Sequence, residues 1–319
     1  MRAAARQLAL LFPAAALMAV AQVQITQESG KIRVDIDGKP FTEFFTAANG
    51  DVPKPFLHPL RSASGKIVTR RWPQEQNTGE ETDHPHHRGV FVGHDHVNGV
   101  NFWANEPKGR ADNLGIFTLK EVSQAKGGKR SGVVVASFDW KDPKGKVILT
   151  EKRTMTFYAG GPERIVDFDF LFLPNGKVTI GDSKEGFFAV RVAKGLQELK
   201  SVGRMVSNTG AETEKNIWGK PFNWVDFQGE IDGEKLGLAI FDHPDNLRHP
   251  QRWHARAYGL FAVNPFGLSV FTGDKSQSAE YVIEPDKTLR LRYRIVIHPG
   301  DAQSGKVAEL YEKYVSTRK

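Results

Sequence analysis

Between residues 163 and 173 the chain reads ERIVDFDFLFL, with Val166, Phe168, Phe170 and Phe172 alternating against Asp167 and Asp169. A period of two places the apolar side chains on one side only if the backbone is extended. A strand with one greasy face needs a second layer to cover it, so this stretch commits the chain to packed sheets. The pattern recurs at 31–36, where Ile32, Val34 and Ile36 oppose Lys31, Arg33 and Asp35 before an Asp37-Gly38 turn. At 288–298, Leu289, Leu291, Tyr293, Ile295 and Ile297 oppose Arg290, Arg292 and Arg294.

Further strands are expected at 114–122, 132–140, 147–158, 185–193, 236–242, 259–263 and 268–272, and a hairpin at 56–61 and 66–70 around Ser62–Gly65. Turn residues such as Asp142-Pro143-Lys144-Gly145 separate them. Only one amphipathic helix is expected, after Asp301, where Val307, Leu310, Tyr311 and Tyr314 share a face. With neither repeat nor low-complexity linker, the expectation is one large antiparallel β-sandwich over 22–319.

Residues 1–21 read differently. Arg2 and Arg6 precede an apolar run that ends in Ala19-Val20-Ala21, the order of a secretory signal peptide. The expected location is periplasmic or secreted, and with no cysteine the chain has neither disulfide nor lipid-anchor site. No later stretch is apolar for long enough to span a bilayer, so no membrane attachment is expected after cleavage. The pI near 9.4 is basic, but the charges are interleaved, which argues against nucleic acid as a partner.

Half of the ten histidines lie in 83–106, DHPHHRGVFVGHDHVNGVNFWANE, with Asp83, Arg88, Asp95, Trp103 and Glu106. A second concentration runs from Asp242-His243-Pro244 through His249 to Trp253-His254-Ala255-Arg256-Ala257-Tyr258. DHPHHRG at 83–89, NGVNFW at 98–103, FDHPDNLRHP at 241–250 and WHARAYGLFAVNPFG at 253–267 resemble an exported bacterial family. That family carries the label "methane oxygenase PmoA", or otherwise that of a domain of unknown function. The resemblance covers nearly all of the chain beyond the leader. It implies a layout similar to the galactose-mutarotase-like supersandwich and a setting in bacterial sugar degradation. It carries over no catalytic residue. Oxygenase chemistry is not expected, because the membrane subunit of methane monooxygenase is a bundle of transmembrane helices and this chain has none after its leader.

Imidazole titrates near neutrality, exchanges protons and ligates metals. The expected function is therefore acid–base chemistry on a sugar of the epimerase, lyase or hydrolase type, with His86 and His87 from the first stretch and His254 from the second. Asp226, inside FNWVDFQG, and Glu280 are the candidate carboxylates. Asp83, Arg88, Trp103, Arg191, His243, Arg256 and Tyr258 are expected to hold a small carbohydrate or an oligosaccharide, aromatic rings meeting the C–H faces and polar groups the hydroxyls. Trp253 is a second candidate platform. The row Arg290, Arg292 and Arg294 reads as solvated or as a grip on an anionic sugar. One alternative is a transition-metal enzyme with ligands from His84, His86, His94 and His96; another is a non-catalytic sugar-binding protein. No nucleotide motif is present, and no cofactor is favoured.

Overall fold

The computed structural model describes residues 22–47, 52–104, 113–199 and 201–316. The leader at 1–21 and Glu106 lie outside them. The chain opens with β1 (Val23–Glu28), β2 (Lys31–Ile36), β3 (Lys39–Phe45), β4 (Phe56–His58) and β5 (Val90–His94). Four long strands follow: β6 (Ile116–Lys126), β7 (Ser131–Lys141), β8 (Val147–Tyr158) and β9 (Arg164–Pro174). Then come β10 (Val178–Ile180), β11 (Gly186–Arg191), β12 (Arg204–Ser207), helix α1 (Thr213–Ile217), β13 (Trp224–Ile231) and β14 (Glu234–Asp242). The chain closes with β15 (Arg252–Ala255), β16 (Leu260–Asn264), helix α2 (Leu268–Thr272), β17 (Tyr281–Ile283), β18 (Leu289–Pro299) and helix α3 (Val307–Ser316).

Two antiparallel eight-stranded sheets result, ordered β1-β2-β3-β4-β5-β11-β16-β15 and β12-β13-β14-β18-β9-β8-β7-β6, beside a small β10-β17 pair. The β9 alternation does what its period requires. Val166, Phe168, Phe170 and Phe172 enter the core, joined by Leu289, Leu291, Tyr293, Ile295 and Ile297 from β18. Val90, Val92, Phe188, Val190, Phe261 and Val263 meet them from the first sheet. Phe188 stacks on Tyr293 at 4.9 Å between ring centres. Truncating any one such ring to alanine would cost about 3–5 kcal/mol, which is why the alternation cannot slip by one residue.

Each sheet also has an outer face. That of the second is capped by α3, whose Val307, Tyr311 and Tyr314 pack on Trp224, Ala239, Phe241 and Val296. On this sheet the arginine row is spent on ion pairs: Arg290 with Asp169, Arg292 with Asp245 and Arg294 with Asp167. The reading of that row as a grip on an anionic sugar is therefore corrected. The outer face of the first sheet carries Phe56, Phe91, Ala189, Leu260 and Ala262, and among the described residues loops rather than a helix pack on it.

Two expectations need revision. Residues 268–272 form α2, not a strand; a five-residue stretch has no periodicity long enough to separate the two. Of the hairpin at 56–70, the turn survives, with Gly65 N–H donating to Ser62 O, but the arms meet only at one bridge, Arg61 with Ile67. Phe56–His58 pairs instead with β3 and β5.

Candidate functional site

The outer face of the first sheet is where the two histidine-rich stretches meet. Side chains alternate along β15, so Trp253 and Ala255 enter the core while Arg252 and His254 point outward. Onto this face fold the 83–89 loop, the turn at 101–104 and the turn at 256–258. They enclose a cleft of about 430 Å³. His84, His86, His87 and Trp103 border it on one side, and His254, Arg256 and Tyr258 on another. Asp95, Asn101, Lys184 and Glu185 complete the rim.

The 83–89 loop is held by buried arginines. Arg70 is wholly buried and donates to the carbonyl oxygens of Asp83 at 2.8 Å, His84 at 2.9 Å and His87 at 3.1 Å. Its Nη1 also pairs with Asp83 Oδ1 at 2.7 Å, and Arg191 Nη2 reaches the same oxygen at 2.8 Å. Burial pushes the Asp83 carboxyl up, but Arg191, His84 and Arg70 together outweigh it and hold it below the ordinary carboxylate value. Arg191 lies under the Tyr258 ring at 4.6 Å, and Tyr258, His84 and His87 stack in nearly parallel planes. The loop reaches the sheet at Gly89, with φ at +50°, where a Cβ would stand 2.0 Å from Leu57 O. Only glycine fits there.

This arrangement makes a stability prediction. Asp83→Asn leaves two wholly buried guanidinium groups without their carboxylate. The expected loss is about 2–3 kcal/mol, below the range for a fully buried pair because Asp83 is partly exposed. Urea unfolding followed by tryptophan fluorescence measures it; an unchanged midpoint would mean that the carbonyl oxygens around Arg70 and the His87 nitrogen on Arg191 suffice without the carboxylate.

Hydrogen bonds set the tautomers. His254 Nδ1 lies 2.9 Å from Lys184 O, a pure acceptor, so Nδ1 carries the hydrogen and Nε2 keeps its lone pair. His87 Nδ1 lies 3.2 Å from Arg191 Nη1, a pure donor, so the hydrogen of His87 sits on Nε2. Burial lowers His254 to a pKa of about 4 and His86 to about 3, and drives His87 well below the ordinary imidazole value. All three are neutral at physiological pH.

Several sequence-derived candidates lie elsewhere. Asp226 is on β13 in the second sheet, wholly buried, where His298 Nε2 meets its Oδ1 at 3.2 Å. Glu280 is exposed, and its backbone oxygen accepts from Arg248. His243 packs on Tyr314, and its Nδ1 accepts the Asp245 N–H. Trp253 is a core residue whose indole donates to Phe222 O. Arg88 sits over the Phe56 ring and does not border the cleft. The metal-ligand set is also corrected. His94 is wholly buried, with Nε2 at 2.8 Å from Gly181 O, and His96 is exposed beside Asp95. Among the described residues no three histidine, aspartate or glutamate side chains are grouped to hold a metal ion.

The cleft also holds groups that the sequence did not single out as site residues. Lys184 and Glu185 form an ion pair on its rim, and Arg256 Nε pairs with Glu214 at 2.9 Å. Asn101 Oδ1 accepts the N–H groups of Trp103 and Ala104, which fixes the indole against His87. Asp95 lay in plain view inside the histidine run. Lys184 and Glu185 sit just ahead of a strand, where no periodicity marks them.

Comparison with known proteins matches residues 31–312 to a family described as of unknown function, DUF6807. The oxygenase label attached to the resemblance is not part of that match. No curated protein matches in sequence. Among solved structures, a galactose mutarotase-like protein from Clostridium acetobutylicum is similar at 9% identity and a TM-score of 0.43, over 87% of this chain and 98% of that one. Galactose 1-epimerase from Lactobacillus acidophilus NCFM is similar at 9% identity and 0.39, over 88% and 98%. An alpha-galactosidase from Lactobacillus brevis is similar at 8% and 0.41, over 91% of this chain and 41% of that one. No helix among the described residues is long and apolar enough to cross a membrane.

Proposed function

The chain belongs to the DUF6807 family, and from the geometry of its cleft we propose an exported carbohydrate-active protein that performs acid–base chemistry on a sugar. One observation carries this reading: imidazoles more than 150 positions apart, His86 and His254, border a common polar cleft with Tyr258, whose ring stacks on His84. Export rests on the leader at 1–21.

His254 is the base of this proposal. Its Nε2 lone pair is free of the proton that Lys184 O holds on Nδ1, and its low pKa of about 4 keeps it so at neutral pH. The complementary proton donor is then not an imidazolium. Tyr258 fits that role, because burial raises its phenol to about 12 and keeps it protonated. Asp95 and Glu185 are placed to accept sugar hydroxyls, and the Tyr258–His84 stack offers a face for C–H groups.

The test is proton NMR of a panel of neutral and acidic mono- and oligosaccharides incubated with the purified chain in D₂O. Loss of one ring or anomeric C–H signal, or appearance of a new species, is the expected result. If no sugar is altered and none raises the melting temperature, the carbohydrate reading fails. A sugar that binds with pH-independent affinity but is never altered would make the cleft a binding site alone.

A further inference from the structure

Two donors in the wall of the cleft have no protein acceptor among the described residues: His87 Nε2 and Trp103 Nε1. Both side chains border the cleft, and both are almost fully buried, His87 at 0% and Trp103 at 1% exposure. Their rings meet at 5.6 Å in an edge-to-face contact. The tautomer of His87 makes its Nε2 an N–H, and an indole nitrogen is a donor always. Burying two N–H groups without acceptors is costly, so their placement points to a ligand oxygen that accepts from both.

The character of that oxygen follows from what stands behind it. Arg70 and Arg191, both wholly buried, converge on the same oxygen of Asp83, so two guanidinium groups stand directly behind this wall. Lys54, Arg70 and Arg191 are all close enough to His86 to depress it beyond the effect of burial. A hydroxyl accepting from His87 and Trp103 would still have to donate its own hydrogen, beside a wall in which Arg191 bonds His87 and Lys54 bonds the Trp103 carbonyl. An anionic oxygen has no hydrogen to place. The rim differs: Asp95 Oδ1 is a buried acceptor that takes no hydrogen bond among the described residues, suited to a hydroxyl.

We propose that the His87–Trp103 end of the cleft is a carboxylate subsite, so that the sugar taken up is a uronate or a chain containing one. This rests on the carbohydrate reading for the rest of the ligand, but not for the carboxylate itself. The indole N–H of Trp103 is the natural reporter. In an ¹⁵N spectrum of the purified chain, the signal lost in Trp103→Phe assigns it among the six tryptophans.

The probes are glucuronate, glucose and glycolate, titrated at neutral pH. Glucuronate is expected to move that signal downfield and to bind about tenfold or more tightly than glucose, the range for a charge-assisted hydrogen bond. Trp103→Phe, which keeps an aromatic ring and removes the donor, is expected to erase most of that preference, lowering glucuronate affinity about tenfold more than it lowers that of glucose. Equal affinity for glucuronate and glucose overturns the subsite and leaves the carbohydrate reading intact. A response to glycolate with none to either sugar keeps the subsite and removes the carbohydrate reading. Silence of the indole toward both carboxylates overturns the subsite outright.

Discussion

Replacing His254 with Gln is expected to slow turnover of the sugar substrate by about 10²–10⁴-fold, the usual contribution of a positioned general base. Glutamine can still donate to Lys184 O, so the local fold has a substitute for the Nδ1–H bond, but it offers no comparable base. The pH profile separates a proton-transfer role from a packing role. Protonation of Nε2 removes the lone pair, so activity requires the neutral ring. With His254 lowered by burial to about 4, activity should hold as the solution is acidified from neutrality and fall only as pH approaches that value. A decline already centred near the ordinary imidazole pKa of about 6.5 would mean that another group controls the rate. A variant retaining most of its activity at every pH would remove His254 from the chemistry.

The same burial has a consequence for stability, of definite sign. His86, His87 and His254 titrate lower in the folded chain than in the unfolded one. On acidification the unfolded chain takes up protons first. The stability that these rings contribute is present above the unfolded value and drains away as pH falls from about 6.5 toward their folded values.

The second large effect lies in the core. Glu151 and Arg153, on β8, face inward between the sheets and are buried at 0% and 2% exposure. Glu151 accepts from Arg153 Nε at 2.7 Å and from the Trp140 indole at 2.9 Å. The Arg153 guanidinium stands over Phe44, Phe138 and Phe170 at 5.3 to 5.5 Å. Glu151→Ala leaves that cation without a carboxylate in an apolar layer, and about 3–5 kcal/mol of stability should be lost. The double variant Glu151→Met, Arg153→Leu should cost far less than the single, because it removes both charges rather than stranding one. Urea unfolding of the three proteins decides the matter; a single variant within about 1 kcal/mol of the parent would show that water reaches Arg153.

Different levels of the chain determined different things. The alternations at 31–36, 163–173 and 288–298 were sufficient to identify antiparallel sheets, because the side-chain period is a property of the backbone. The helix at Val307–Ser316 was equally legible from its spacing. The concentration of histidines marked two stretches as unusual, and composition needs no tertiary information. Beyond that the chain is silent about partners. Asp226 and Arg191 looked alike in sequence, each a charge inside an apolar strand, yet one pairs with His298 in the second sheet and the other supports the cleft. Glu151 and Arg153 interrupt the alternation of β8 in a polar run, and only the fold shows that they lie on the apolar side, paired with each other. Which carboxylate meets which imidazole depends on strand order, β5-β11-β16-β15, between segments far apart in the chain. Only the folded chain brings Lys184 O to His254 and Asp83 to Arg70 and Arg191, because such contacts follow from sheet topology and not from any local preference of the residues that make them.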